Sequence, residues 1–211
     1  MRQQRLFLTF EGMDGSGKTT QMRMLAERLR LHGREVLETA EPGGTRIGTE
    51  IRRILLDAAN QELKPTAEML LYFACRAQNV DEWILPALAA GKIVISDRFT
   101  DSTLVYQGCG RGLGAETVVT LDRIACRGLV PDLTLLIDID AETSLARAHA
   151  RNASRAGSDR MDEQSLEFHR KVYGAYHALA AREPQRVRVI DGGAGIDDIA
   201  VEIWKAVAPY V

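Results

Sequence analysis

The chain has 211 residues, 45% hydrophobic and 27% charged, with 27 Lys and Arg against 29 Asp and Glu for a formal net charge of −2. That balance excludes a strongly electropositive nucleic-acid-polymer binder and leaves small ligands, which need only local charge. Cys75, Cys109 and Cys126 form no CxxC pair, so a zinc centre and a disulfide framework are both excluded as expectations.

The N-terminal stretch carries too short an apolar run for a secretion signal, and no run reaches the ~18 apolar residues of a membrane span. The expected setting is therefore the cytoplasm, away from membranes. Leu6 to Phe10 reads as a buried strand that stops at Glu11 and a glycine-rich turn. From Lys18 the period changes: Met22, Leu25, Ala26 and Leu29 mark an amphipathic helix, which Gly33 ends.

Glu35 to Thr39 is a second expected strand, running into Glu41-Pro42-Gly43-Gly44-Thr45 and then a helix through Ile47, Ile51, Ile54 and Leu55. Pro65 opens a longer helix through Met69, Leu70 and Phe73, and Gly91 follows the Leu85–Ala90 stretch as a helix stop. Ile93-Val94-Ile95 is a third strand, ending at Asp97 and Arg98. Leu133 to Ile139 is a fourth and Val187 to Ile190 a fifth, before a last helix from about Ile196 to Ala208.

Strands that are apolar on both faces and alternate with helices indicate a five-stranded parallel sheet between helical layers. Ligands of such folds gather at the C-terminal ends of the strands, where the polar clusters after strands one, two and three would meet. No repeat or linker divides the chain, so one domain over residues 1–211 is expected.

Gly12-Met13-Asp14-Gly15-Ser16-Gly17-Lys18-Thr19 matches GxxxxGK[ST], with a strand before it and a helix after it. Glycines let such a loop curl so that its N–H groups meet phosphate oxygens, and the helix N-terminus adds favourable charge. Gly12, Asp14, Gly15, Ser16, Gly17, Lys18, Thr19 and Thr20 are thus the expected ATP-binding set. Lys18 would reach the β- and γ-phosphates, and the Thr19 hydroxyl would ligate Mg²⁺. The expected fold is the three-layer α/β/α arrangement of P-loop nucleotide hydrolases and kinases.

Asp97 ends an apolar strand and is the expected second Mg²⁺ ligand, direct or through water. Arg98 beside it offers a planar fork for phosphate. The alternative for Asp97 is a turn-capping aspartate, and Asp138, also at a strand end, competes for the metal role.

The chain lacks the base-reading motif of GTPases and the signature of transport ATPases, which leaves the small-molecule kinases. Within them its motifs resemble those of the thymidylate kinases: the loop at 10–20, EPGGT at 41–45, Phe73-Ala74-Cys75-Arg76-Ala77-Gln78, Asp97-Arg98-Phe99, Tyr106-Gln107-Gly108 and Asp159-Arg160-Met161-Asp162, the last with aspartate in place of glutamate. The order holds from residue 5 to about residue 195.

The resemblance implies ATP and dTMP as substrates, Mg²⁺ with the donor, and a homodimer built on helix packing. It implies a catalytic arginine either in the phosphate loop or in a lid. The loop has none, whereas Arg147, Arg151, Arg155 and Arg160 fall in a candidate helical lid at about 147–162. Arg147, Arg151 and Arg155 recur every four residues and would line one helix face. By the resemblance, Arg151 and Arg155 neutralise the transferring phosphoryl group alongside Lys18, Arg98 and Asp97, and Arg147 lies near the adenine.

For the acceptor, the resemblance implies Phe73 stacked on thymine, Arg76 on its O4 and Gln107 on the base edge. It implies Arg98 on the acceptor phosphate, Glu41 and Pro42 shaping that pocket, Asp14 at the 3′-hydroxyl, and Tyr106 against the 2′ position. Ser102 adds a polar contact. Phe73 alone also reads as ordinary core, and Arg76 alone as a solvated charge. A kinase for another pyrimidine nucleotide or a deoxynucleoside stays open, as does a nucleotide-binding switch module.

Overall fold

A computed structural model of the chain describes residues 5–153, 160–161 and 163–211, with the side chains of 151–153 left aside. Five strands form one sheet: β1 (Leu6–Glu11), β2 (Val36–Ala40), β3 (Ile93–Asp97), β4 (Leu133–Asp138) and β5 (Val187–Asp191). Their order is β2-β3-β1-β4-β5, and every neighbouring pair is parallel. β1 is central and buried along its whole length, as an unbroken apolar run between two strands should be.

The helices are α1 (Lys18–Leu31), α2 (Arg46–Leu56), α3 (Pro65–Asn79), α4 (Leu85–Ala89), α5 (Thr100–Thr103), α6 (Ala115–Cys126), α7 (Ala141–Ala153), α8 (Leu166–Arg182) and α9 (Ile196–Val207). A wide-turn stretch at Val80–Ile84 joins α3 to α4 without a break, and another at Leu104–Gly110 extends α5. Wide turns of this kind recur at functional sites, and the second holds Tyr106 and Gln107.

Alternation along the strands splits the core. Leu6, Leu8 and Phe10 face α1 and α9 with Ile93, Ile95, Leu133 and Leu135, meeting Met22, Leu25, Leu29, Ile199 and Ile203. Phe7 and Val94 face the other way, onto Met69, Phe73, Val80, Ile84, Val118 and Phe99. Each such side chain is worth about 1.5–3 kcal/mol on full burial, so the two layers clamp the sheet from both sides. The one polar pair inside β1 and β4, Thr9 with Thr134, is satisfied at 2.8 Å.

Register sets the site. Phe10, Ala40 and Asp97 lie side by side at the C-terminal edge of β1, β2 and β3. The loops that follow therefore converge there, as the strand reading requires. The second strand spans Val36–Ala40, one residue later than expected at each end, with the Glu35 carbonyl still accepting from the Ile93 N–H. The amphipathic helices α6 and α8 were not among the elements read from sequence. Among the described residues, no helix is long and apolar enough to cross a membrane.

Candidate functional site

The phosphate loop leaves β1 at Gly12, whose φ of 133° only glycine adopts freely. Gly15 (φ 74°) sits under α7: a Cβ there would come within 2.7 Å of the Arg147 Cβ. α7 holds the loop by two further contacts. Ser144 Oγ donates to the Asp14 carbonyl at 2.6 Å, and Arg147 Nη1 to the Gly15 carbonyl at 3.4 Å. Arg147 thus lies beside the phosphate loop, exposed on its helix. Gly17, Thr19 and Thr20 are exposed at the start of α1, whereas Ser16 is buried within the turn.

Lys18 is 6% exposed, and its Nζ donates to the carbonyls of Met13 (2.7 Å) and Gly12 (3.0 Å). Burial, then the positive charge of Arg98, lowers the ammonium to about 8, despite Asp14, Asp97 and Glu11 nearby. The amine is thus held inside the loop as a desolvated cation. The Thr19 hydroxyl donates to Asp97 Oδ2 at 2.7 Å. These two oxygens, brought together from residues 78 apart, are hard donors of the kind Mg²⁺ takes. Asp138 lies two strands away from Asp97 and pairs with His177 Nε2 at 3.1 Å, so the competing assignment gains no such partner.

Arg98 is the hinge of the site. Its φ of 72° puts a non-glycine residue in left-handed backbone, which is sustained only when the surroundings demand it. Its guanidinium donates to Asp14 Oδ1 (2.9 Å), Ser102 Oγ (2.9 Å), Tyr176 OH (3.2 Å) and Tyr106 OH (3.4 Å). Behind it lies Glu11, fully buried, which accepts from the Phe99 N–H (2.8 Å), Ser102 Oγ (2.5 Å) and Tyr176 OH (2.9 Å). Burial and the negative charge of Asp101 push the Glu11 carboxyl up to about 7, against the pull of Arg98. Ser102, expected as a ligand contact, lines the cleft and also bridges Glu11 to Arg98. Neither Glu11 nor Tyr176 was singled out from sequence.

The cleft beyond Arg98 is open to solvent and polar-lined. Asp14, Glu41, Pro42, Arg76, Arg98, Ser102, Tyr106 and Gln107 all line it, together with Tyr72, Thr103, Arg52, Leu56 and Met161. Arg76 is 1% exposed. Its Nε donates to Glu41 Oε2 (2.5 Å), and its Nη2 to the Phe99 carbonyl (3.0 Å) and Thr103 Oγ1 (2.9 Å). Among the described residues its Nη1 is buried without a hydrogen-bond partner. A buried guanidinium N–H left in this way keeps one donor to spare, and leaving it unmade is costly. Arg52 Nη1 donates to the Pro42 carbonyl at 2.6 Å and adds a cation that the sequence reading did not pick out.

Phe73 corrects an expectation. It is 4% exposed, packs in the core under β3, and is absent from the cleft lining. The cleft aromatic on α3 is Tyr72. Successive residues on a helix turn by about 100°, so Tyr72, four before Arg76, shares the cleft face while Phe73 turns inward. Arg76 still lies over the Phe73 ring, 5.0 Å from its centroid, from the core side.

Gln107 lines the cleft, but its amide nitrogen is already committed to Glu68 Oε1 at 2.8 Å. Glu68 is fully buried and also receives Arg111 and Arg160, the latter at 2.6 Å. Arg160, expected within the lid, is thus buried and bonded to Glu68 near the C-terminal end of that stretch. Of the expected lid arginines, Arg151 falls within α7 with its side chain undescribed, and Arg155 lies outside the described residues. The arrangement as a whole sets a glycine-rich loop, a pair of hard oxygens and a half-buried arginine beside one polar cleft.

The family model described as "Thymidylate kinase" matches residues 10–203. A thymidylate kinase of Pelobacter propionicus is 51% identical over 199 residues, covering 93% of this chain and 91% of its own. One of Synechococcus sp. is 50% identical over 204 residues, 97% of this chain and 96% of its own. Among solved structures, thymidylate kinase from Ehrlichia chaffeensis superposes with a TM-score of 0.77 at 33% identity, over 97% of this chain and 99% of that one.

Proposed function

The chain belongs to the thymidylate kinase family and transfers the γ-phosphate of ATP to dTMP, giving ADP and dTDP, and from that premise we propose how its residues divide the work. The observation that carries the division is the buried Nη1 of Arg76, without a partner among the described residues, in a cleft that Arg98 lines as well.

The loop from Gly12 to Thr20 cradles the donor phosphates with backbone N–H groups, and Lys18 exchanges its loop carbonyls for phosphate oxygens. Thr19 and Asp97 would hold Mg²⁺, which when bound would supply positive charge against the donor phosphates. Arg98 holds the acceptor phosphate. Asp14, already on Arg98, is placed for the sugar 3′-hydroxyl, and Tyr106 crowds the 2′ position. Tyr72 takes the stacking role, Arg76 Nη1 donates to O4 of the base, and Thr103 and Gln107 stand beside it. Glu41 and Pro42 form the wall that fixes Arg76. Arg52 adds charge at the cleft mouth.

The acceptor needs no general base, because a phosphate monoester has a second pKa near 6 and is already largely ionised at neutral pH. Rate enhancement then comes from alignment and from charge placed where it develops. Arg151 and Arg155 from the lid at about 147–162 supply the charge that the loop lacks, and Arg147 steadies the loop beneath them. One kinase domain with a lid, working as a homodimer in a reducing cytoplasm with its three free thiols, completes the proposal. Exposed Ile47, Ile54 and Leu70 on the packed pair α2 and α3 offer an apolar face for that dimer.

ADP release with Mg-ATP and a panel of nucleoside monophosphates tests the reading. Strong stimulation by dTMP, with little from dCMP, AMP or GMP, is expected. Folded protein that binds ATP and ignores dTMP would sink it.

A further inference from the structure

Glu68 touches neither the phosphate loop nor Arg98, and yet it is one of the most heavily engaged carboxylates in the molecule. Its Oε1 accepts from Gln107 Nε2 (2.8 Å) and Arg111 Nε (3.2 Å), and its Oε2 from Arg160 Nη2 (2.6 Å) and Arg111 Nη2 (3.1 Å). Burial by itself would raise its pKa. The hydrogen bonds from Arg111, Gln107 and Arg160 and the charge of Arg111 outweigh burial and hold the carboxyl below the usual range. It is therefore ionised at neutral pH and can only accept.

An acceptor-only partner settles which way an amide points. Gln107 is 1% exposed, and turning it over would set its carbonyl oxygen against a carboxylate oxygen. Its nitrogen stays on Glu68, so its oxygen is the group left for the cleft that the residue lines. Thr103, four residues earlier on the same helical stretch, lines the same cleft and receives Arg76 Nη2. The cleft thus sets an amide acceptor near the unpartnered Arg76 Nη1 donor.

We infer that Glu68 is a positioning residue for base selection: by fixing the Gln107 amide it makes the cleft read a donor-next-to-acceptor edge, which fits a 4-oxo pyrimidine with its ring N–H and mismatches a 4-amino pyrimidine. The base supplies O4 to Arg76 and the N3–H to Gln107. A cytosine ring supplies an amino group and a bare nitrogen at those places, so both positions are wrong. The inference rests on the proposed dTMP site and adds what enforces its polarity.

Glu68→Gln tests it, since a neutral amide in place of the carboxylate lets Gln107 turn over. The ratio of kcat/KM for dTMP over dCMP is expected to fall about tenfold or more, the scale of one mispaired buried hydrogen bond, mostly through the KM values of the two monophosphates. The KM for ATP stays within about twofold on the same argument. Glu68→Asp keeps an acceptor-only group and is expected to keep the ratio. An unchanged ratio in folded Glu68→Gln, or equal losses for both monophosphates, would overturn the inference.

A second measurement needs no variant. In the unsubstituted protein the side-chain N–H₂ protons of Gln107 keep their NMR shifts when dTMP is added, while its carbonyl carbon moves. Amide protons that follow the base would place the nitrogen in the cleft and end the proposal. Failure of the unsubstituted protein to turn over dTMP would instead reject the substrate, which separates the two claims.

Discussion

The donor and acceptor halves of the proposed site are built from opposite materials. On the donor side a curl of main chain, with Gly17, Thr19 and Thr20 exposed, holds a single buried amine by two of its carbonyls. On the acceptor side, Arg76, Glu41, Glu11, Glu68 and Gln107 are all 3% exposed or less, and each is fixed by another buried polar group. A polyphosphate presents many equivalent oxygens, so a curl of main chain suffices to bind it. A base must be told apart from its relatives by direction, and direction requires side chains that cannot turn.

The strongest way to sharpen that contrast is Lys18→Ala. It removes the one side-chain cation inside the loop, and kcat should fall about 10²–10³-fold while dTMP affinity, measured by calorimetry, changes little. Arg76→Ala is the mirror experiment. Steady-state kinetics should show the dTMP KM rising on the order of a hundredfold with the ATP KM nearly untouched, because a lost charged hydrogen bond is worth about 1.5–3 kcal/mol. Equal effects on both substrates would break the division between the halves.

Tyr72 and Phe73 form a pair of adjacent aromatics with opposed expectations. Tyr72→Ala should raise the dTMP KM about tenfold, as loss of one base–aromatic stack does, and leave the melting temperature near its starting value. Phe73→Leu should do the reverse, costing about 1 kcal/mol of stability in urea unfolding with dTMP KM preserved. Finally, Glu11 predicts a pH signature. Its carboxyl is raised from 4.5 to about 7 on folding, so its contribution to stability is complete below 4.5 and is lost as pH rises through about 7. Between about pH 6 and 8 the unsubstituted chain should lose about 1 kcal/mol relative to Glu11→Gln in chemical unfolding. Parallel curves would mean that Glu11 is ionised throughout.

The same contrast governs what the sequence discloses. The phosphate loop is contiguous, and its spacing between a strand and a helix identifies it before any folding is considered. Sequence favours Asp97 over Asp138 by its neighbour Arg98 and the polar run that follows, and the fold adds a physical reason, since register brings Asp97 to the Thr19 hydroxyl. The acceptor cleft is assembled from residues far apart. Glu68 meets Arg111 and Arg160 across 43 and 92 positions. In the sequence it reads as an acid in the first turn after Pro65, which a helix N-terminus welcomes anyway.

Glu11 left a fainter trace, as a lone acid closing an otherwise uncharged buried strand. The exchange of Phe73 for Tyr72 shows the limit of periodicity. Spacings of three and four both place residues near one helix face, and only the packing of α3 on the sheet chooses between them.

The missing side chain of Gly15 is the seat of α7, since a Cβ there would lie 2.7 Å from that of Arg147. An arginine in the phosphate loop at this position and α7 in its present seat exclude each other. A chain that gained a side chain there would have to lift α7 and lose the grip of Ser144 on Asp14. The loop and the helix above it are thus held in one arrangement by the absence of a single side chain, and a change at either is felt by both.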